Sequence, residues 1–430
     1  MTSKGEPLCE KSKWRTRSSC TLGNGVIRLT ALLGGGHLAE IRFERSSGYS
    51  TVNPLWVPRW RTMDPDKYSP GRHQQEYGSI VEGKLLSGIA GHSICLDYFG
   101  SPSPQEAELG LSQHGEAPSS RWTIDHQSAN DSAARLRLKV RLPAAGLRFS
   151  REITVRRGES VAYFHETVRN ERKVDHFFHW TQHVTLGPPF LCRGSATVAV
   201  SGSKALTSPD EYDEGKTLLA PGTAFRWPRG PQSPKGTVDL SRPFSRKGSG
   251  YVAAVLLEPA REMGFIAVLN TQERVLFGYC FSQVDSPWVT VWEENRAIEA
   301  VPWKGTCQAL GLEFGTTPMP VGRRENFLNG GPLFGTPTMT FIPARATKSV
   351  RYIAFLANVP SDFARLRDIR IGNGELLFFS AGSKLPLRMA ASRIVAWLAA
   401  TPHEPMMSRA SSRTIVRGCS RRSAVDRIGR

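Results

Sequence analysis

From about residue 21 to residue 380 the apolar positions come in short runs of period two, each stopped by Gly, Pro, Asn or Ser. "ARLRLKVRL" (134–142) alternates apolar and basic residues, the pattern of a strand with one buried face. The stretch 147–186 reads as three successive strands, broken at Arg157-Gly158 and at Asn170–Lys173. Further strands are predicted at 251–257, 264–270, 275–281, 288–294, 309–314, 338–342, 349–357 and 375–379. Helical periodicity is nearly absent, the exception being "PLRMAASRIVAWLAA" (386–400), whose apolar residues share one helix face. Residues 202–237 are polar and rich in Pro and Gly, and read as a long loop, either functional or an insertion. Many strands without βα alternation predict an all-β fold, a large antiparallel β-sandwich. No repeat of fixed period points to a propeller. The expected organisation is a flexible segment over 1–20, the sandwich over 21–380, and a basic extension over 381–430 with one helix.

Composition narrows this picture. The 430 residues are 40% hydrophobic and 22% charged, enough for two ordinary domains or one oversized β architecture. No apolar run approaches the length of a membrane-spanning helix. The charged start "MTSKGEPLCEKSKW" has no apolar signal region. Seven cysteines, an odd number without a C-x-x-C pair, suit reduced thiols, so a cytoplasmic setting is expected. The net charge of +18 raises nucleic acid as a partner. However, residues 381–430 hold ten Lys/Arg against two Asp/Glu, and no nucleic-acid motif accompanies the rest. No nucleic-acid partner is expected, and the tail reads as a solvated extension.

One segment concentrates histidine. "DHFFHWTQHVTLGPPFLC" (175–192) holds His176, His179 and His183. The last two are four apart, as in a helical zinc motif. On a strand, though, His179, Thr181, His183 and Thr185 share one face, and His176 shares the other with Phe178, Trp180 and Gln182. Parity separates the three rings, so no metal is expected.

Three landmarks carry a resemblance: "LGLSQHGEAPSSRW" (109–122), "TQHVTLGPPFL" (181–191) and "VWEENRAIEAVPWKGTCQALGLEFGTTPMP" (291–320). In this order, after the glycine-linked hairpin "LGNGVIRLTALLGGGHLAEIRF", the chain resembles the galactose mutarotase-like superfamily, which includes the aldose 1-epimerases. The resemblance implies a β-supersandwich, a small-molecule sugar as ligand, and no cofactor. It implies His183 as the acid that protonates the ring oxygen, and His114 as a sugar-binding or polarising residue. The family's base is a glutamate in a Pro-Gly-Glu turn, and here Ala344-Arg345 stands at that place. An arginine cannot accept a proton at neutral pH. Glu313, Glu294 and Glu293 are the substitutes, and as strand neighbours Glu293 and Glu294 face opposite ways. Trp292, with Trp288 and Trp303, could stack on sugar C–H faces. Gln182 and Asp285 are candidate polar contacts. Two readings stay open: an epimerase that interconverts sugar anomers, and a non-catalytic carbohydrate-binding protein on the same scaffold.

Overall fold

The computed structural model describes residues 5–329 and 331–399. Two antiparallel sheets face one another. The larger has thirteen strands, and its middle runs His92–Cys95, Thr181–Leu186, Gln308–Gly315, Trp288–Asn295 and Ser249–Leu257. The smaller has eight, with Thr347–Asn358, Val161–Asn170, Leu147–Arg156 and Ala133–Leu142 adjacent in that order. The all-β architecture is therefore as the period-two pattern predicts, and the predicted strands from 251 to 314 appear within a residue or two of their expected bounds.

The alternation builds the core directly. Leu136, Leu138 and Val140 point inward from their strand, and Phe149, Ile153 and Phe164 join them from its neighbours. They meet Ile94, Val184, Val289 and Leu312 from the larger sheet. The intervening Arg135, Arg137 and Lys139 stay outside. Where both faces of a strand are covered, as at Thr181–Leu186, all six residues are buried and the alternation is of chemistry rather than of exposure.

Four expectations about organisation change. Residues 8–20 are not a flexible segment: Leu8–Trp14 and Arg17–Gly23 pair as the first two strands of the larger sheet. The stretch 202–237 is not all loop, because Gly202–Thr207 pairs with Ser249–Leu257 and carries three further short strands. Residues 386–400 are not one helix. Leu387–Ala390 pairs with Glu375–Ser380, satisfying the open edge of a small three-stranded sheet, and the helix is confined to Ile394–Ala399. Short helices at Pro70–Tyr77, Ile80–Leu86 and Arg323–Asn329 went unpredicted, since one or two turns leave little periodicity to read. The arginine-rich part of the tail, from 400 onward, lies outside the described residues. Among the described residues no helix is long and apolar enough to cross a membrane.

Candidate active site

Strand register sets the centre of the site. Thr181 pairs with Gly315 and Thr185 with Gly311, so His183 lies directly across from Glu313. On its other side His183 pairs with Ser93, and Glu313 pairs with Thr290 beyond. Ser93, His183, Glu313 and Thr290 thus form one row across four strands on the face of the larger sheet turned away from the sandwich core. Nε2 of His183 is 3.2 Å from a carboxylate oxygen of Glu313. Its Nδ1 is 3.0 Å from the hydroxyl of Thr185, two residues on along the same face.

Gly311 makes room for this carboxylate. A Cβ there would lie 2.2 Å from Oε1 of Glu313 and 3.2 Å from the Trp292 ring, so any side chain would push the acid off its place. The sequence "ALGLEF" (309–314) encodes that space two residues before the glutamate.

His114 comes from a loop and arrives over His183, with ring centroids 4.7 Å apart. Its backbone is left-handed (φ 67°), a conformation uncommon for a residue with a side chain. Hydrogen bonds on both sides hold it: its N–H donates to Gly100 O, and its carbonyl accepts from Leu96 N–H. Its Nδ1–H donates to Phe99 O at 2.6 Å, which leaves Nε2 as an acceptor. The other two histidines of the 175–192 segment brace the 97–100 segment, against which His114 is held. His176 reaches the Asp97 carboxylate at 2.8 Å, where Arg323 also binds. His179 accepts from the Phe99 N–H and donates its own N–H to Asp97 O. His176 and His179 therefore fix the 97–100 segment, whose Phe99 and Gly100 carbonyls accept from His114. Among the described residues no group of three or more His, Cys, Asp or Glu is arranged to hold a metal ion.

Burial controls the charge of the central pair. It pulls His114 down to about 4. Burial, followed by the nearby His114, lowers His183 well below the ordinary histidine value. Burial alone raises Glu313 well above the carboxylate range. Both partners of the His183–Glu313 pair are driven toward their neutral forms, so the pair holds one proton and no net charge. With its own proton on Nδ1, toward the Thr185 hydroxyl, His183 has Nε2 free to accept a hydrogen bond from the protonated Glu313. Two further hydroxyls flank the pair. Ser93 Oγ and Thr181 Oγ1 are fully buried and make no hydrogen bond among the described residues.

Aromatic rings continue the site outward. Trp292 is 6.1 Å from His183, Trp303 stands edge-on to Trp292 at 5.9 Å, and Trp56 stacks on Trp303 at 5.5 Å. Trp60 completes the group.

The remaining predicted residues fall elsewhere. Glu294 shares the face of Trp292, but its oxygens accept from Tyr212 and from the N–H groups of Ala297 and Ile298. It anchors a turn. Glu293 faces the opposite way, into the sandwich, where it accepts from Phe244 N–H and burial raises it to about 7. Gln182 also points into the sandwich, as parity requires, and bonds Glu166 at 2.6 Å. Asp285 lines a separate cavity beside Lys348 and Thr316 at one end of the sandwich. Trp288 is buried and donates to Pro337 O. Gln182, Glu293 and Asp285 are thus not gathered with the histidines. Arg345 is exposed in a left-handed turn, its N–H donating to Arg172 O. Sequence reading missed the roles of Ser93, Thr185 and Gly311. Register locates the first, parity the second, and glycine spacing the third.

Comparison with solved structures defines the class. A proposed aldose 1-epimerase from Klebsiella pneumoniae superposes with a TM-score of 0.58 at 14% identity, over 80% of each chain. A galactose mutarotase-like protein from Clostridium acetobutylicum gives 0.54 at 12% identity, over 82% of this chain and 99% of its own. A proposed mutarotase from Salmonella typhimurium gives 0.52 at 11%, over 82% and 94%. No sequence-family description matches the chain. No curated protein matches it by sequence either. The chain has the galactose mutarotase-like fold, the β-supersandwich that the resemblance implies.

Proposed function

We propose that this protein binds a free aldose on the His183 face and interconverts its anomers. The observation that carries the reading is the buried His183–Glu313 pair beneath His114, with two nearby hydroxyls that have no partner among the described residues. A ligand rich in hydroxyl groups supplies what Ser93 and Thr181 lack, and Trp292 offers a ring for its C–H face.

The chemistry follows from adjacency. In a cyclic sugar the anomeric hydroxyl and the ring oxygen are attached to one carbon, so the acid and the base must stand side by side, as Glu313 and His183 do. The proton rests on Glu313. Glu313 donates it to the ring oxygen as the bond from the anomeric carbon to that oxygen breaks. Nε2 of His183 takes the proton of the anomeric hydroxyl, and the open-chain aldehyde forms. Rotation about the adjoining carbon–carbon bond presents the other face of the aldehyde. Closure returns one proton from His183 to the aldehyde oxygen and one from the sugar hydroxyl to Glu313. These roles reverse the assignment implied by the resemblance, in which histidine is the acid; burial is the reason. The acid–base pair starts and ends each cycle uncharged, which suits a site from which water is excluded.

Glu313→Gln tests the reading. It preserves shape and hydrogen bonding and removes the transferable proton. Anomer exchange, followed by saturation-transfer NMR over a panel of aldoses, should fall by about 10²–10⁴-fold. Stability at pH 7 to 8 should hold or rise, because the amide resembles the protonated acid. Sugar binding without exchange above background in the unaltered protein would instead establish the non-catalytic carbohydrate-binding reading.

A further inference from the structure

We propose that the outer face of the smaller sheet binds an acidic polysaccharide, with one anionic sugar seated in a pocket beside the C-terminal helix. The sequence pattern creates this face. In Ala133–Leu142 every apolar residue turns to the core, leaving Arg135, Arg137, Lys139 and Arg141 outward. The next strand adds Arg148 and Arg156 in the same orientation. Side chains on such a face repeat at about 5 Å across strands and about 7 Å along them. The result is a flat cationic lattice.

Part of this charge is already paired. Asp125 meets Lys139 at 2.6 Å, Glu152 meets Arg137, and Glu171 bridges Arg141 and Arg148. Exposed pairs of this kind are worth about 0–1 kcal/mol and exchange readily for another anion. The excess converges on one pocket of about 240 Å³, where the helix Ile394–Ala399 approaches the sheet. Arg135, Arg137, Arg156 and Arg393 line it, with Glu152 as the one carboxylate among its lining residues. Arg156 lies 3.4 Å from Glu159, whose oxygens already accept from Tyr163 and Ser392. Trp397 and Tyr163 close the wall.

The shape favours a polysaccharide over nucleic acid. Among the described residues the face is a sheet, and the helix beside it, Ile394–Ala399, is too short to lie along a duplex groove. Its indole, Trp397, is packed edge-on against Tyr163 with Arg351 over the ring, so it offers no free platform for base stacking. An extended chain carrying one carboxylate or sulfate per sugar ring can lie across the lattice and place one ring in the pocket. This inference stands apart from the histidine site and from its chemistry.

The experiment uses the full chain with heparin and polygalacturonate as sulfated and carboxylated probes, neutral dextran as control, and duplex and single-stranded DNA as competitors. At least one acidic polysaccharide should bind, dextran should not, and affinity should fall as salt rises. Arg135→Ser with Arg156→Ser should weaken binding about tenfold or more and reduce the salt slope by up to about two. Both positions are at the surface, so folding should be retained. Replacing the arginines from 409 to 430 by serine should change binding by less than about threefold, and Glu313→Gln should leave it unchanged. The proposal is overturned if DNA outcompetes both polysaccharides, if dextran binds equally, if nothing binds, or if the tail variant loses affinity while the double variant does not.

Discussion

Gln182 and His183 are neighbours in the chain and open onto two different polar clusters. On the inner side, Gln182 joins Glu166, Arg151, His92, Tyr279 and Tyr352 between the sheets. Arg151 and Glu166 form a fully buried ion pair at 2.6 Å, and Trp180 also donates to Glu166. Burial opposes the charge on Arg151, but Glu166, with Tyr352 and Tyr279, more than offsets this and holds its pKa above the ordinary value. On the outer side, His183 and Glu313 meet with no Lys or Arg paired to the carboxylate among the described residues, and two nearby hydroxyls have no partner among them either. The inner cluster is saturated and can do nothing but hold its place. The outer one is short of partners, and that is where chemistry has room. Burial and titratable residues are common to both, so neither distinguishes the two clusters; incomplete satisfaction is what makes the outer one the candidate site.

The comparison can be broken most forcefully from the inner side. Glu166→Gln should leave Arg151 as a buried charge without its counterion and cost roughly 3–5 kcal/mol, read as a shift of the denaturant midpoint. A loss near zero would mean that the inner cluster tolerates vacancy as the outer one does. Acid should come next. His114 is neutral until about pH 4 in the folded protein, whereas an unfolded histidine protonates near pH 6.5. The unfolded state therefore binds the proton first, and stability present above pH 6.5 is lost as pH falls toward 4. For His114 alone this amounts to roughly 3 kcal/mol at pH 4. His179, lowered to about 4 by burial, acts in the same direction. Glu313, with its raised value, has the opposite sign: its contribution is full below the ordinary carboxylate range and declines as pH rises. A pH series of unfolding curves should show the acid loss, reduced in His114→Gln. The smallest effect is expected at the turn where the family resemblance places its base. Arg345→Glu restores a carboxylate there and should leave anomer exchange within about twofold and stability within about 0.5 kcal/mol, as for other exposed positions. A large gain in exchange would move the base away from His183.

These residues also show what a sequence can and cannot convey. The sandwich is legible because one face of most strands is buried, which writes period two into the chain. His183 is legible for the same reason, since parity separates it from His176. The same rule, carried one residue further, excludes Gln182 and Glu293, both of which face inward. Glu313 is harder. It reaches His183 only through the pairing of strands 130 residues apart, and register of that kind depends on the whole sheet rather than on local pattern. The hydrogen bonds that turn His176 and His179 into braces for the 97–100 loop are of the same long-range kind. Short helices failed for a simpler cause, being too brief to repeat.

The tryptophans next to the site have an optical consequence. Trp292 lies beside His183, and Trp303, Trp56 and Trp60 follow it ring to ring. Excitation can migrate among rings this close, and Trp292 emission is expected to change when a ligand is laid across its face. Trp292 is thus placed to serve as a built-in fluorescent reporter of the candidate site.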